Sequence, residues 1–290
     1  MNSCALLNVP HPWLLLIGLA ATLFVPMFVH SELLLVVGYP DNSGSPPWVR
    51  GLDFVVVVQA ALFVYTRLTC LHARPVVWQA MIMVVIVITI REGFRATLMN
   101  GFATTAYIYE SINALPRFAF ATLVALVALA AGRSSHHAWR RAGVGVAASL
   151  VAYGLMHTCL DPALHDLTTR YADLAHDAVV SLPYPAWFEA LSYVTFIEPV
   201  IVAVLLARMF RNGDRPLGIA PMALVIMALR SNITRTFVDA FFQAISASQY
   251  MLQGSQFLFE GLLLGGLAAW TWCLADGMPS AAHLAQRKDS

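Results

Sequence analysis

The sequence predicts an all-α polytopic membrane protein, with about eight transmembrane helices arranged as two parallel four-helix repeats. Three observations predict it: an apolar composition, a series of long apolar runs, and an internal duplication. Of the 290 residues, 59% are apolar and 11% are charged, whereas soluble domains carry about 45–50% and about 25%. This composition excludes a soluble enzyme. A net charge of +1 without a basic block argues against nucleic acid as a partner.

Eight apolar segments approach the length of a membrane span. A helix needs about 20 residues to cross a hydrocarbon core of about 30 Å, and continuous apolar runs indicate helices rather than the alternating strands of a barrel. Because several runs are short, we expect polar residues within the ends of the spans. The segments are 13–39, 54–66, 76–90, 115–131, 143–156, 190–206, 217–229 and 257–274.

The placement of basic residues predicts the orientation of the chain. Ten of the 17 basic residues fall in three short connections and the C-terminal tail if the N-terminus is cytoplasmic. Cytoplasmic loops carry the excess of Lys and Arg in membrane proteins. The chain is therefore predicted to cross a bacterial-type inner membrane an even number of times, with both termini in the cytoplasm.

The chain also repeats itself at a fixed spacing. Segment 45–55 aligns with segment 184–194, an offset of 139 residues (184 − 45), and the same offset pairs Arg91 with Arg230. Matches of Trp, Arg and Phe in one register carry more weight than matches of Leu and Ala, which align by chance in apolar sequences. The pattern predicts a duplicated unit.

Nearer the start of each unit the offset falls to 127, which pairs His30 with His157. The change of offset indicates an insertion in the second copy, read as an outer loop helix near 161–177. The predicted repeats are 1–142 and 143–290. An even number of spans in each makes them parallel repeats, related by an axis along the membrane normal.

Polar and ionisable side chains recur in the outer half of both copies. Such groups are costly within a membrane and indicate a functional site by default, so we take them as candidates for ligand binding or a polar cluster. Alternatively, the arginines anchor helix ends at the headgroups. The candidates are His30, Gln59, Arg91, Glu92, Arg95, His157, Glu198, Arg230, Arg235, Asp239 and Glu260.

Glu198 is the sharpest of these candidates because it lies before a proline in an apolar run. A carboxylate there is either paired with an arginine or protonated by burial. The segments that follow Arg91 and Arg230 are also unusual, since polar residues alternate with aromatic ones. They predict interfacial helices, re-entrant elements, or extensions of the preceding helix.

Cofactors and catalysis have weak sequence support. Haem in a helical bundle usually needs two facing imidazoles, and one histidine per copy supplies a single pair, so haem is not expected. His157, Asp161 and His165 have helical spacing, but Pro162 and the polar setting argue against a metal. Two alternatives for the cofactor therefore stay open, a bound quinone and no cofactor. No catalytic motif is present, so catalytic activity is not expected.

These observations leave three functional hypotheses. The first is an inner-membrane subunit of a larger complex, either a redox anchor or a secretion or conjugation component. It would bind a quinol, or other membrane or periplasmic subunits, on its outer side. Two four-helix bundles resemble the general plan of the quinol-binding anchors of molybdenum oxidoreductases, an architectural analogy.

The alternative is a small-solute permease that uses the same paired polar cluster. Transport sites usually lie near the midplane, whereas the sequence places this cluster further out. The third hypothesis, an intramembrane enzyme acting on a lipid, lacks a recognisable nucleophile and base.

Overall fold

The architecture is that of a multi-pass integral membrane protein. The computed structural model describes residues 11–40, 45–210 and 218–276, and every regular element within these ranges is helical. Six helices are long and apolar enough to cross a membrane, or seven if one bent pair counts as a single span. The all-α, membrane-spanning class is therefore confirmed. The remaining predicted segment, 217–229, holds an apolar helix of only 11 residues.

Twelve α-helices follow one another in the part of the chain that the structure describes. They are α1 Pro12–Val37, α2 Pro47–Arg67, α3 Thr69–His72, α4 Val76–Ile90, α5 Gly93–Thr104, α6 Tyr107–Asn113, α7 Leu115–Ser134, α8 Ala138–Leu155, α9 Asp161–Arg170, α10 Ala186–Met209, α11 Ile219–Leu229 and α12 Ala247–Ala275. The described residues also include short helical turns of other types. π-Helical turns span Met156–Leu160 and Thr234–Val238, and 3-10 turns span Ala172–Leu174 and Asp239–Phe242.

The helices extend beyond the apolar segments that predict them. α2 begins at Pro47 and α12 at Ala247, seven and ten residues before the corresponding segments. Proline suits the first turn of α2, where the N–H has no partner in the helix. The Ser246 hydroxyl accepts the Gln249 N–H at the start of α12 (3.3 Å), a typical N-cap. Polar residues such as Asp53 lie inside these helix ends, as expected.

The outermost helices each pack against the opposite half of the chain. α1 lies against α12 and α10, and α8 lies against α7 and α2. Within the first half α7 packs on α2 and α4, and within the second half α12 packs on α10 and α11. Two further contacts, α2 with α11 and α4 with α10, join the halves. The contacts follow one pattern in both halves. If α1, α2, α4 and α7 are matched one by one with α8, α10, α11 and α12, each principal contact has a counterpart between the matched helices.

α1 buries one narrow stripe and leaves the rest of its surface open. The buried positions recur every three or four residues, the spacing of one helix face. Thr22 Oγ1 lies 3.1 Å from Thr271 Oγ1 on α12, within this contact. The stripe consists of Gly18, Thr22, Pro26, Met27, His30 and Leu34.

Two helices stop before they could cross a bilayer. α4 has 15 residues and α11 has 11, so at about 1.5 Å per residue they rise about 22 and about 16 Å. Glu92, two residues after the end of α4, has a φ of 57°, and Ser231, two residues after the end of α11, has a φ of 64°. Glycine usually occupies this left-handed position after a helix, and other residues pay roughly 1–2 kcal/mol for it.

The chain changes direction at both of these breaks. α5 is bent by 49° from α4, and a π-helical turn follows α11. A straight extension of the helix, one of the three alternatives for the segment after Arg91, is therefore wrong. Glu92 and Ser231 stand 139 residues apart (231 − 92), so the two breaks share the spacing of the sequence duplication.

Candidate functional site

Five candidate side chains form a buried ion-pair chain. Glu260 Oε2 lies 2.8 Å from His30 Nδ1, and its other oxygen lies 2.5 Å from Arg230 Nη2. Arg230 Nη1 then lies 2.7 Å from Glu92 Oε1, and Glu92 Oε2 pairs with Arg95. The side chains of Glu260 and Arg230 are only 1% and 6% exposed, so these charges face protein.

The chain of ion pairs lies near the middle of the long helices. Glu260 is close to the midpoint of the 29-residue α12, and Glu198 is close to the midpoint of the 24-residue α10. Glu198 is already central in its predicted segment, 190–206, whereas Glu260 lies near one end of the predicted segment 257–274. α12 begins at Ala247, ten residues before that segment, which moves Glu260 to the middle of its helix.

Arg95 joins three helices at one end of the chain. Its Nη2 donates to Ser192 Oγ on α10 (2.7 Å) and contacts Met27 Sδ on α1 (3.5 Å). The guanidinium also lies 5.3 Å from the ring centroid of Phe196, a cation–π contact. Arg95 itself belongs to the first turn of α5, directly after the break at Glu92.

Glu198 has an unusual environment for a carboxylate. Oε2 accepts the backbone N–H of Arg95 (2.9 Å). Oε1 is buried without a hydrogen-bond partner in the described part of the chain. Across residues 11–40, 45–210 and 218–276, Glu198 forms no ion pair, so the expected pairing with an arginine side chain is absent there.

A second polar group lies beside the first and contains Arg91. Arg91 Nη1 donates to the Leu229 carbonyl (3.0 Å) and to Ser231 Oγ (2.5 Å). Ser231 Oγ donates in turn to Asp53 Oδ2 (2.7 Å), and Thr234 also donates to Asp53. A cation near the last carbonyl of α11 stabilises the helix end.

Arg91 and Arg230 therefore each reach across to the other half of the protein. Arg91 contacts the end of α11, and Arg230 contacts the end of α4 through Glu92. The guanidinium of Arg91 also lies 4.3 Å from the ring centroid of Phe120. Arg230 is buried, and both arginines interact with groups of the protein.

Four polar residues of this region were not among the predicted candidates. Asp53 contacts Thr234, and Ser192 contacts Arg95. Asp53 and Ser192 stand 139 residues apart, as do Arg95 and Thr234. The two contacts thus join residues that share this spacing but differ in chemistry, and the missed residues are Asp53, Ser192, Ser231 and Thr234.

Besides Arg91 and Glu198, four predicted candidates lie outside the ion-pair chain. Gln59 Nε2 donates to the Ala142 carbonyl (3.3 Å). His157 is exposed on the π-helical turn, 3.6 Å from Asp161. Arg235 is exposed, and Asp239 is half-buried with Oδ1 unpartnered in the described chain.

An apolar cavity lies on one side of the ion-pair chain. Its volume is about 310 Å³, and it lies between α4 and α10. It extends from Trp78 and Met209 to Ile86 and Val202, and only apolar side chains line it. Val202 is one helical turn from Glu198, so the polar region gives way to apolar surface within about 5–6 Å.

Clusters with metal-ligand chemistry do not occur in the described residues. No group of three His, Cys, Asp or Glu residues is arranged there to hold a metal ion. His30 is buried in the ion-pair chain, whereas its sequence counterpart His157 is exposed. The two imidazoles thus occupy unlike environments.

Comparison with known proteins finds no matching family model, no matching curated protein and no matching solved structure. The fold defines the class, an integral multi-pass α-helical membrane protein. What it does must be argued from the buried charges and the helices that hold them.

Proposed function

We propose that this protein is a membrane permease for a small polar or charged solute. The observation that carries the proposal is that charged residues of both halves meet at two helix breaks, near mid-helix depth. Many transporters bind solutes at the midplane, between repeats and beside discontinuous helices. In the sequence analysis, the argument against a permease was that the polar cluster lies too far from the midplane. Glu198 and Glu260 lie near the midpoints of α10 and α12, which removes that argument.

The proposal includes eight spans in two parallel repeats. α11 and the irregular turns after it would form the eighth span, broken as the α4–α5 pair is. The exchange pattern of helix contacts supports the repeat, as do the paired left-handed residues Glu92 and Ser231. The arginine distribution supports cytoplasmic termini in a bacterial-type inner membrane.

Two unpaired polar atoms suggest where a solute would bind. Arg95 Nε and Glu198 Oε1 are buried without partners in the described structure, and both belong to the contact between α5 and α10. A buried polar atom without a hydrogen bond costs about 1–3 kcal/mol. A solute with both an acceptor and a donor would satisfy the guanidinium and the carboxyl group together.

A subunit of a larger complex is the second candidate function. α8 buries only Gly145 and Ser149, and α9 buries no residue. This surface is available to lipid or to a partner protein, and α9 carries polar residues beyond the apolar part of the helix. The same polar cluster would then stabilise the bundle or contact a quinol.

Solute binding is expected to raise the thermal unfolding temperature of the purified full-length protein. A ligand at 100 times its Kd stabilises by about 2.7 kcal/mol, so a thermal-shift screen of small polar solutes would find it. The hit is then tested by counterflow in proteoliposomes. We expect Arg95→Gln to abolish the shift and Arg170→Gln, at an exposed pair with Asp166, to retain it.

Gentle purification separates the two candidates. A protein that is isolated alone and shows counterflow is a permease. If it instead co-purifies with stoichiometric partner proteins, and no solute gives a shift or counterflow, the permease proposal fails and the complex subunit is favoured.

A further inference from the structure

We infer that Glu198, which accepts the backbone N–H of Arg95 at one end of the buried ion-pair chain, holds one exchangeable proton on its carboxyl group. The inference begins with a count of formal charges along the contacts. Three carboxylates, Glu92, Glu198 and Glu260, meet two guanidinium groups, Arg95 and Arg230. With all five charged and His30 neutral, the set carries one excess negative charge.

The neighbouring polar group does not compensate for this excess. Asp53 and Arg91 are joined through Ser231 Oγ, so one negative charge balances one positive charge there. An uncompensated charge within a membrane is strongly unfavourable. One proton on the ion-pair chain removes that cost.

The geometry assigns the proton to the Glu198 end. Glu260 contacts Arg230 and His30, and Glu92 contacts Arg230 and Arg95. Glu198 alone among the three pairs with no side-chain cation in the described structure, and its Oε2 accepts the backbone N–H of Arg95. His30 lies at the other end of the chain, where Glu260 already has a guanidinium partner.

The duplicated sequence gives independent support. The position equivalent to Glu198 is Gln59 (198 − 139), a neutral amide that closely matches the shape of a protonated glutamic acid. Gln59 is half-buried and its Nε2 donates to the Ala142 carbonyl. A neutral side chain of this size is therefore accommodated at the equivalent place in the first half.

Release of the proton would change the pairing of Arg95. The O–H bond of Glu198 breaks, the proton passes to water, and the electron pair stays on the carboxylate. The guanidinium of Arg95 is then shared between Glu92 and Glu198, which face each other across the contact of α5 with α10. Of the charged groups on the packed helices, Glu92 and Arg95 of the α4–α5 pair act directly on Glu198. His30 on α1, Arg230 after α11 and Glu260 on α12 lie further along the ion-pair chain.

The role of this proton as a coupling ion rests on the proposed permease function. The proton site itself does not, because it depends only on the charges in the ion-pair chain. A proton-coupled permease would bind proton and solute at the same contact, since Arg95 Nε and Glu198 Oε1 are the two unpaired atoms.

Infrared spectroscopy of the full-length protein in lipid vesicles tests the proton site. We expect one carboxylic acid C=O band, equivalent to one proton per protein molecule, that persists above the pH at which exposed Asp and Glu side chains ionise and disappears at higher pH. Glu198→Gln should remove this band, because glutamine cannot ionise. Glu189→Gln, at an exposed position on the same helix, should retain it, and so should His30→Gln.

The proposal is overturned if no titrating band occurs in the natural sequence, or if the band survives in Glu198→Gln. Size-exclusion chromatography checks that each variant is folded. No solute enters this experiment, so a titrating band without any counterflow would contradict the permease and leave the proton site intact.

Discussion

Arg230→Gln is expected to destabilise the protein by about 3–5 kcal/mol, the cost of breaking a buried ion pair from one side. Arg230 is the shared partner of Glu92 (2.7 Å) and Glu260 (2.5 Å). Its removal leaves two carboxylates close together without the cation between them. The expected result is a large fall in the thermal unfolding temperature in detergent and a lower yield of folded protein.

A matched control is available on the surface. Arg170 pairs with Asp166, and both side chains are more than half exposed, so Arg170→Gln should cost about 0–1 kcal/mol. Adding Glu260→Gln to Arg230→Gln removes one of the two carboxylates that lose their shared cation and should recover part of the loss. If Arg230→Gln were as stable as the control Arg170→Gln, a structural role for the ion-pair chain would be contradicted.

Gly265→Ala is expected to destabilise by about 1–3 kcal/mol, the usual cost of overpacking a core. A Cβ at Gly265 would lie 2.7 Å from Ala223 Cα and 2.8 Å from the Met222 carbonyl oxygen. Both are backbone atoms, so no side chain can rotate away. α11 would have to move off α12, and Arg230, directly after α11, would move with it. Thermal unfolding measures the loss.

The neighbouring glycine provides the control for this variant. At Gly266 an added Cβ would meet only Ile219 Cγ2, at 3.4 Å, an ordinary contact. Gly266→Ala should change the stability by less than about 1 kcal/mol. If both variants behaved alike, the close approach of α11 to α12 at Gly265 would be wrong.

The residues of the ion-pair chain could be predicted because charge within an apolar run must be compensated. His30, Glu92, Arg95, Arg230 and Glu260 were candidates on that ground, and they contact one another. Asp53 and Ser231 were missed, because each lies close to a helix end and resembles a surface residue. The 139-residue offset was the signal available, since it relates Asp53 to Ser192 and Ser231 to Glu92.

The partners and the depth could not be predicted. Which side chains meet depends on the two helix breaks. No sequence signal marks these breaks, because glutamate and serine, rather than glycine, occupy the left-handed positions. His157 was expected to resemble His30. The second half continues from α8 through a π-helical turn into α9, and this inserted segment leaves His157 exposed.

Two-sided accessibility of Ser192 tests most directly the central claim, that the buried charges line a solute path. Ser192→Cys is made with Cys4, Cys70, Cys159 and Cys273 replaced by serine, and is probed with a membrane-impermeant thiol reagent. The permease predicts labelling from either side of the membrane, whereas Val194→Cys, exposed on the outer surface of α10, resists it. Labelling of Ser192→Cys from one side only, or from neither, would contradict the account.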